Sequence, residues 1–351
     1  MKRITIKDIA REAGVTDATV SLSFKPDSRI SDQTRQKVLQ VAKRFNYVPN
    51  LAARYLRNGH SNTVGILVTE VTNPWNAFLI RHTQEVVYQR GYQLFIAESQ
   101  WSATKELSAI EAMAQLRVRG VLFCCSEKTD QSFKRLKTFA LPYVLLDTSP
   151  QRYRGSFVGN DLVAAGQMAA NHLLDAGCRY PAHLTGSLQD LKFSSFRKLK
   201  KGFTHALKAR GVGWDESLCV AAGLTIDEGR EGMRALLARA PQIDGVFCVN
   251  DLCAMGAMEA VEEIGRRTGR DLAVVGVDDI AVSSHSRISL TTLRFPHARI
   301  ASLAANALLD LLERKRKEPI NESIEPELII RKSSHLARKR GAPESGTIGA
   351  E

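Results

Sequence analysis

The 351-residue sequence predicts an all-helical N-terminal head, a short hinge helix, and an α/β body of two doubly wound subdomains. Three observations carry that prediction. Apolar residues in the first sixty positions recur at helical spacing around a glycine turn. From Thr63 onward, short apolar runs alternate with helix-length segments, in two successive sets. Charge is concentrated at the N-terminus, where residues 1–61 hold twelve Lys/Arg against five Asp/Glu, +7 of the chain's formal +12. A concentrated basic head is the electrostatic footprint of a phosphate-backbone binder.

In the head, Ile6, Ile9, Ala10 and Ala13 make one apolar helical face. Gly14 ends that helix, because a tight reversal needs the left-handed backbone conformation that glycine adopts readily. Thr16 is a good N-cap for a second helix, with Val20 and Phe24 facing back and polar residues facing out. Ser31 caps a third helix to about Phe45, whose Val38, Leu39, Ala42 and Phe45 close a small core. Two short helices around a tight turn are a helix-turn-helix, whose second helix offers its N-terminal residues to the major groove. A protein-interaction module is compatible with the same three helices.

The next segment distinguishes these readings. Pro49 suits the first position of a helix, yet Asn50–Arg57 spans only about two turns, which is marginal in isolation. The expectation is a hinge helix that forms when DNA and a second copy pack against it. Its Leu51, Ala52, Ala53 and Leu56 then line a dimer seam or wedge into a minor groove.

In the body, 64–68, 92–97, 120–125 and 143–147 read as buried parallel strands, with crossover helices near 77–90, 104–117 and 131–139. A second series follows in PAHL, CVAA, DGVFCVN and AVVGV, with helices near 162–176, 195–210, 227–238 and 252–265. Sheets of this kind bind ligands beyond the C-terminal ends of their strands, here in a cleft between two lobes. The candidates just past strand ends are Asn73, Trp75, Asn76, Asp147, Arg197, Asn250, Asp251, Asp278 and Asp279. Carboxylates, amides and a guanidinium suit the hydroxyls of a polyol. Each has a plainer alternative. Asp278–Asp279 and Asn250–Asp251 fit helix caps, Trp75 fits packing between lobes or across a dimer, and Arg197 fits a solvated helix charge. The apolar helix 298–312 reads either as core packing or as a dimer face.

Other classes find little support. No apolar run approaches a membrane span, so a cytoplasmic protein is expected. Six cysteines lie mostly in apolar strand-like runs, which fits a reducing compartment, and none has a metal-finger spacing. Phosphate-binding glycine loops, zinc-binding His pairs and nucleophile elbows are missing from the sequence. No catalytic residue, metal or cofactor is therefore assigned.

The head resembles that of the lactose/galactose repressor family of bacterial transcriptional regulators, on IKDIAREAGVTDATVS, SDQTRQKVLQVAKRFNYVPN and AARYLR. The resemblance runs through the body to about Ser334, as a fold shared with periplasmic sugar-binding proteins. It implies that Leu56 inserts at the operator centre with Ala53 beside it, and that Thr16, Thr19 and Ser21 contact phosphates or bases. Asp17, Ala18 and Leu22 fall on base-reading positions, with Leu22 replacing a common Arg and Ser23 replacing an apolar core residue. Thr5, Lys25, Arg29, Asn50 and Arg54 complete the candidate DNA-contacting set. Leu22 suits only an apolar edge such as a thymine methyl, and Asp17 suits cytosine N4.

The resemblance also places Arg197, Asn250 and Asp278 in or beside an effector pocket. Leu199 stands where many members have a second Arg, Leu224 where an aromatic platform is usual, and Phe295 at a cleft position that is often polar. These departures imply an effector smaller or less hydroxylated than a hexose, or none. The expected organisation is a head over 1–48, hinge over 49–61 and body over 62–334. Lobe 1 takes about 62–160 and 294–321, lobe 2 about 161–293 and 322–334, and 335–351 is a disordered tail. The expected protein is a homodimeric repressor on a pseudo-palindromic operator, with a sugar-like effector between the lobes. The alternatives are a regulator of the same family without an effector and, in a different class, a sugar-binding transport component.

Overall fold

Ile9, fully buried, is the centre of a three-helix head made of α1 (Ile6–Ala13), α2 (Asp17–Ser23) and α3 (Asp32–Arg44). The computed structural model describes residues 4–24, 28–48, 61–125, 130–147, 155–186, 194–316 and 318–336. The chain divides into two units, residues 1–61 and 62–351.

Each turn of the head has a local cause. The Thr5 N–H and hydroxyl both donate to Asp8 Oδ2, at 2.9 and 2.7 Å, fixing the entry to α1. Gly14 leaves α1 at φ +65°. The Thr16 and Ser31 hydroxyls accept from the Thr19 and Thr34 N–H groups, capping α2 and α3. Ile9, Ala10, Ala13, Val20 and Val38 form the buried core, with Phe24, Phe45 and Tyr47 packed on it. Leu39 is a correction: expected inside, it is 39% exposed. Val38 and Ala42 share the inward stripe of α3, and Leu39 lies one residue, about 100° of helix rotation, off it. Ser23 is buried where an apolar residue is usual, and its hydroxyl donates to the Thr19 carbonyl at 2.8 Å.

The body begins with β1 (Thr63–Val68), α4 (Pro74–Gln89), β2 (Gln93–Glu98), α5 (Ala103–Gln115), β3 (Val121–Phe123), α6 (Asp130–Thr138), β4 (Tyr143–Asp147) and β5 (Phe157–Asn160). It crosses to a second lobe for α7 (Leu162–Asp175), β6 (Pro181–Thr185), α8 (Ser194–Ala209), β7 (Cys219–Ala221), α9 (Ile226–Arg239), β8 (Gly245–Cys248), α10 (Asp251–Glu263), β9 (Ala273–Val277) and β10 (Thr291–Arg294). It returns for α11 (His297–Leu312) and β11 (Asn321–Ile324), then crosses again to β12 (Glu327–Ile329).

The strand orders are β11-β5-β4-β3-β1-β2 in lobe 1 and β12-β10-β9-β8-β6-β7 in lobe 2, the same permutation used twice. All pairings are parallel except β10 with β12. The last crossing follows Ile324, three residues beyond the expected end of lobe 1 at 321, because 321–324 pair in register with Phe157–Asn160. Helix α11 buries Ile300, Ala301, Ala304, Ala305, Ala307, Leu308 and Leu309, so core packing accounts for most of its apolar face.

In lobe 2 two helices meet almost backbone to backbone. A Cβ on Gly166 of α7 would collide with the Leu199 carbonyl oxygen of α8, and one on Gly202 of α8 with the Val163 carbonyl oxygen of α7. That contact sets where the first turns of α8 stand over the cleft.

Candidate ligand cleft and nucleic-acid interface

Between the two lobes lies a cavity of about 80 Å³, roughly six water molecules' worth of space. Its polar floor is built at strand ends, as the topology requires. Asp147 ends β4 and Asp278 follows β9, and these strands occupy equivalent places in the two sheets. Both aspartates have left-handed backbone conformations, φ +73° and +106°, uncommon for any residue but glycine. Strain of this kind, about 1–3 kcal/mol each, persists only where the surroundings over-determine it.

Burial governs the charge of both. Desolvation pushes Asp147 up to about 7, opposed by the Lys198 charge and the Trp75 indole. Asp278 is raised well above the usual carboxylate range by burial first, then by the charges of Asp251 and Asp147. Both keep some accessible surface, but it belongs to the cavity wall rather than to bulk water.

The amides are engaged in structure before any ligand arrives. Asn73 Oδ1 caps α4 through the Trp75 N–H at 2.9 Å. Asn76 Nδ2 donates to Thr69 Oγ1 and to the Glu70 carbonyl. Asn250 caps α10 through the Cys253 N–H at 2.8 Å and donates to the Leu224 carbonyl. Asn160 is different. Its Nδ2 donates to Asp147 Oδ1 at 2.9 Å, while its buried Oδ1 has no partner. The buried Trp75 Nε1 makes no hydrogen bond of good geometry, but it lies close enough to Asp147 to act on it as a donor, which lowers the aspartate's pKa.

Aromatic and aliphatic groups make the walls. Trp75 sits edge-on to Phe295 at 6.0 Å and against His297 at 4.6 Å. Trp101 of lobe 1 faces Phe196 of lobe 2 at 6.1 Å. Leu199, Leu224 and Phe295, the three departures named from the sequence, all line the cavity.

Of the candidate effector residues, Asn73, Trp75, Asn76, Asp147, Leu224, Asn250, Asp278 and Phe295 come together here. Arg197 does not: it is exposed and outside the lining, because Ser195, Phe196 and Leu199 hold the cavity-facing side of α8. Trp101, Asn160, Ser195 and Phe196 are cavity residues that the sequence reading missed. Asp251 and Asp279 stand behind the cleft. Asp251 accepts from the Ile280 N–H and from the Ser283 and Thr292 hydroxyls, and Asp279 pairs with Arg294 and Arg331. Together they tie down the loop that carries Asp278.

On the head, Thr5, Thr16, Asp17, Ala18, Leu22 and Arg29 are exposed, and Thr19 and Ser21 are half-buried. Leu22, 37% exposed, is an apolar residue on the outer face of α2. Asp17 is close enough to Tyr47 for its charge, after burial, to raise the phenol's pKa. Lys25, Asn50, Ala53, Arg54 and Leu56 lie outside the described residues, as does the hinge segment 49–60. Among the described residues, no helix is long and apolar enough to cross a membrane, and no group of three His/Cys/Asp/Glu is arranged to hold a metal.

Comparison with known proteins converges on one group. Residues 5–50 match bacterial regulatory proteins of the lacI family, and residues 170–334 match the periplasmic binding protein-like domain. The HTH-type transcriptional repressor PurR of Mannheimia succiniciproducens is 33% identical over 330 residues, covering 94% of this chain and 98% of that protein. The complex of the transcriptional regulator CelR with cellobiose superposes with a TM-score of 0.72 at 28% identity, covering 94% of this chain and all of that one. The Lac repressor dimer bound to operator and the anti-inducer ONPF shares the fold, with a TM-score of 0.85 at 23% identity over 96% of this chain and all of that one.

Proposed function

The chain belongs to the lacI family of bacterial regulatory proteins, and on that premise we propose that it is a homodimeric repressor whose operator affinity is set by a small molecule in the inter-lobe cleft. The observation that supports this most directly is the pairing of an exposed α2 with a cleft that carries polar groups of two lobes in the same chain. It works in the cytoplasm, where the operator is, and regulates rather than catalyses. The organisation is head, hinge and two-lobed body, with the hinge carrying Ala53, Arg54 and Leu56 to the operator centre.

In the head, Asp17, Ala18 and Leu22 face base edges, while Thr5, Thr16, Thr19, Ser21, Lys25, Arg29 and Asn50 hold phosphates and sugars, which position without specifying. In the body, the ligand touches both lobes and so favours one lobe orientation over the other. That preference shifts the hinge equilibrium and, by linkage, operator affinity.

The relative CelR is seen with cellobiose. A hydroxylated ligand is consistent with the aspartates, Asn160 and Ser195 here, while Leu199 and Leu224 leave fewer donors for it.

Selection of bound duplexes from a random pool tests the reading. We expect an inverted repeat whose half-site departs from the family's commonest one at the bases facing Asp17 and Leu22. Recovery of unrelated sequences would refute a specific DNA reader, and recovery of the ordinary half-site would refute the roles of those two residues.

A further inference from the structure

The cleft's unused polar capacity is unevenly signed, and it narrows the chemistry of what fits there. Two carboxylates, Asp147 from lobe 1 and Asp278 from lobe 2, line one cavity, and no Arg or Lys lines it among the described residues. Among the described residues, Lys198, half-buried on α8, is a counter-charge that acts on Asp147 without lining the cavity. Asp279 is already matched by Arg294 and Arg331, and Asp251 by two hydroxyls and an N–H. Among the described residues, the charges that act on Asp278 are those of Asp251 and Asp147.

Two further atoms point into the same space. Asn160 is 7% exposed and its Oδ1 is an acceptor without a donor. Its Nδ2 faces Asp147 whenever that carboxyl is ionised, which is the state that a bound cation favours. Trp75 is 6% exposed and its Nε1 makes no hydrogen bond of good geometry, with Asp147 as the acceptor that draws on it. The cavity therefore asks for donors and positive charge at the aspartates, one more donor at Asn160, and an acceptor at Trp75. Trp75, Trp101, Phe196 and Phe295 line the same cavity, and aromatic rings suit a cation.

We propose that the cleft takes a small hydroxylated organic cation, an amino alcohol, with its ammonium between Asp147 and Asp278 and a hydroxyl at Trp75 Nε1 and Asn160 Oδ1. This rests on the reading of the cleft as an effector site. An anionic ligand is disfavoured by the same arrangement, because ionising either aspartate beside it would bury like charges together. Burial holds both aspartates towards the protonated form in the empty cleft. Binding of a cation then releases protons as the aspartates ionise.

Three probes of nearly equal size isolate the charge: ethanolammonium, ethylene glycol and glycolate, carrying +1, 0 and −1. Each is titrated by calorimetry into the full-length protein at matched ionic strength, in two buffers of different ionisation heat, with operator affinity measured at saturation. We expect ethanolammonium to bind at least about tenfold tighter than ethylene glycol, with proton release, and glycolate not to bind. Asp278→Asn should bring the two affinities to within about twofold. Equal or tighter binding of the glycol or glycolate overturns the proposal, as does an unchanged ratio in Asp278→Asn or no binding of any probe. A glycol that binds as tightly as ethanolammonium and shifts operator affinity would sink the cation while leaving effector control intact. Ethanolammonium that binds without moving operator affinity would do the reverse.

Discussion

Lobe 1 and lobe 2 set an aspartate at the same point of the same strand permutation, yet the helices behind those points are held in different ways. In lobe 2, α7 and α8 touch through Gly166 and Gly202 with no side chain between them, and Gly229 of α9 approaches Cys253 of α10 in the same manner. In lobe 1, α4 and α11 are joined by long side chains, with Arg90 reaching Asn306, Asp310 and Glu313. Backbone contact leaves no rotamer to adjust, whereas side-chain contact does. Lobe 2 is thus the stiffer frame for Phe196, Leu199 and Asp278. Movement between lobes falls to the crossing strands and to contacts that can repack.

The sharpest way to break that comparison is to add one methyl group on each side. Gly166→Ala or Gly202→Ala should lower stability by about 3 kcal/mol or prevent folding, since the obstacle is backbone that cannot yield. Gly65→Ala in lobe 1 meets only the end of Met113, 2.7 Å from the new atom, and should cost about 1 kcal/mol or less. Denaturant midpoints at constant slope give the difference. Equal losses would remove the distinction between the lobes.

Acid acts next, on buried groups of both lobes, since burial also lowers His297 of lobe 1 to about 4 and raises Asp251 of lobe 2 to about 7. His183 is fully buried in lobe 2, stacked at 5.0 Å on Phe247 and lying 5.7 Å from Phe203, and burial lowers its pKa to about 4. Unfolded, it binds a proton near 6.5. Stability is therefore full above pH 6.5 and falls as pH drops from 6.5 towards 4, by up to about 3 kcal/mol. Asp147 has the opposite sign. Raised to about 7, it holds a proton in the folded state that the unfolded chain releases, so its contribution improves as pH falls from 7 towards the ordinary carboxylate value near 4. His183→Phe should flatten the acid limb of the stability profile. An unaltered limb would assign the loss elsewhere.

A smaller effect bears on the strained aspartates. Asp278→Gly removes a left-handed non-glycine residue and a buried carboxyl, and should raise stability by about 1 kcal/mol while weakening ligand binding. A loss of stability would mean that Asp278 is tied down by more than strain.

How much of this was readable in advance follows residue by residue. Eight strands show as apolar runs, six of them because they are buried on both faces and the edge strands β2 and β7 on apolar composition alone, and the caps at Thr16, Ser31 and Asn250 stand just ahead of their helices. The missed strands are Phe157–Asn160, Thr291–Arg294, Asn321–Ile324 and Glu327–Ile329. All are three or four residues long, and two are sheet-edge strands whose partly polar sequences resemble loops. The cleft was half legible. Asp147 and Asp278 follow obvious strands, but Arg197 was chosen by charge, whereas helical geometry puts Ser195, Phe196 and Leu199 on the cavity side. Trp101 lies just beyond β2 at φ +58°, in a turn that no periodicity marks. The strand-end rule that found Asp147 applies to it equally.

The central claim is that the state of the cleft sets the hold on DNA, and it can be tested without knowing the ligand. Leu224 lines the cavity, and Leu224→Trp fills much of its space. Titration of the full-length protein and this variant against the selected operator, at one salt concentration, should give affinities differing at least about fivefold, the lower end of an allosteric coupling. Identical affinities, with the variant folded and its cleft filled, would contradict the account.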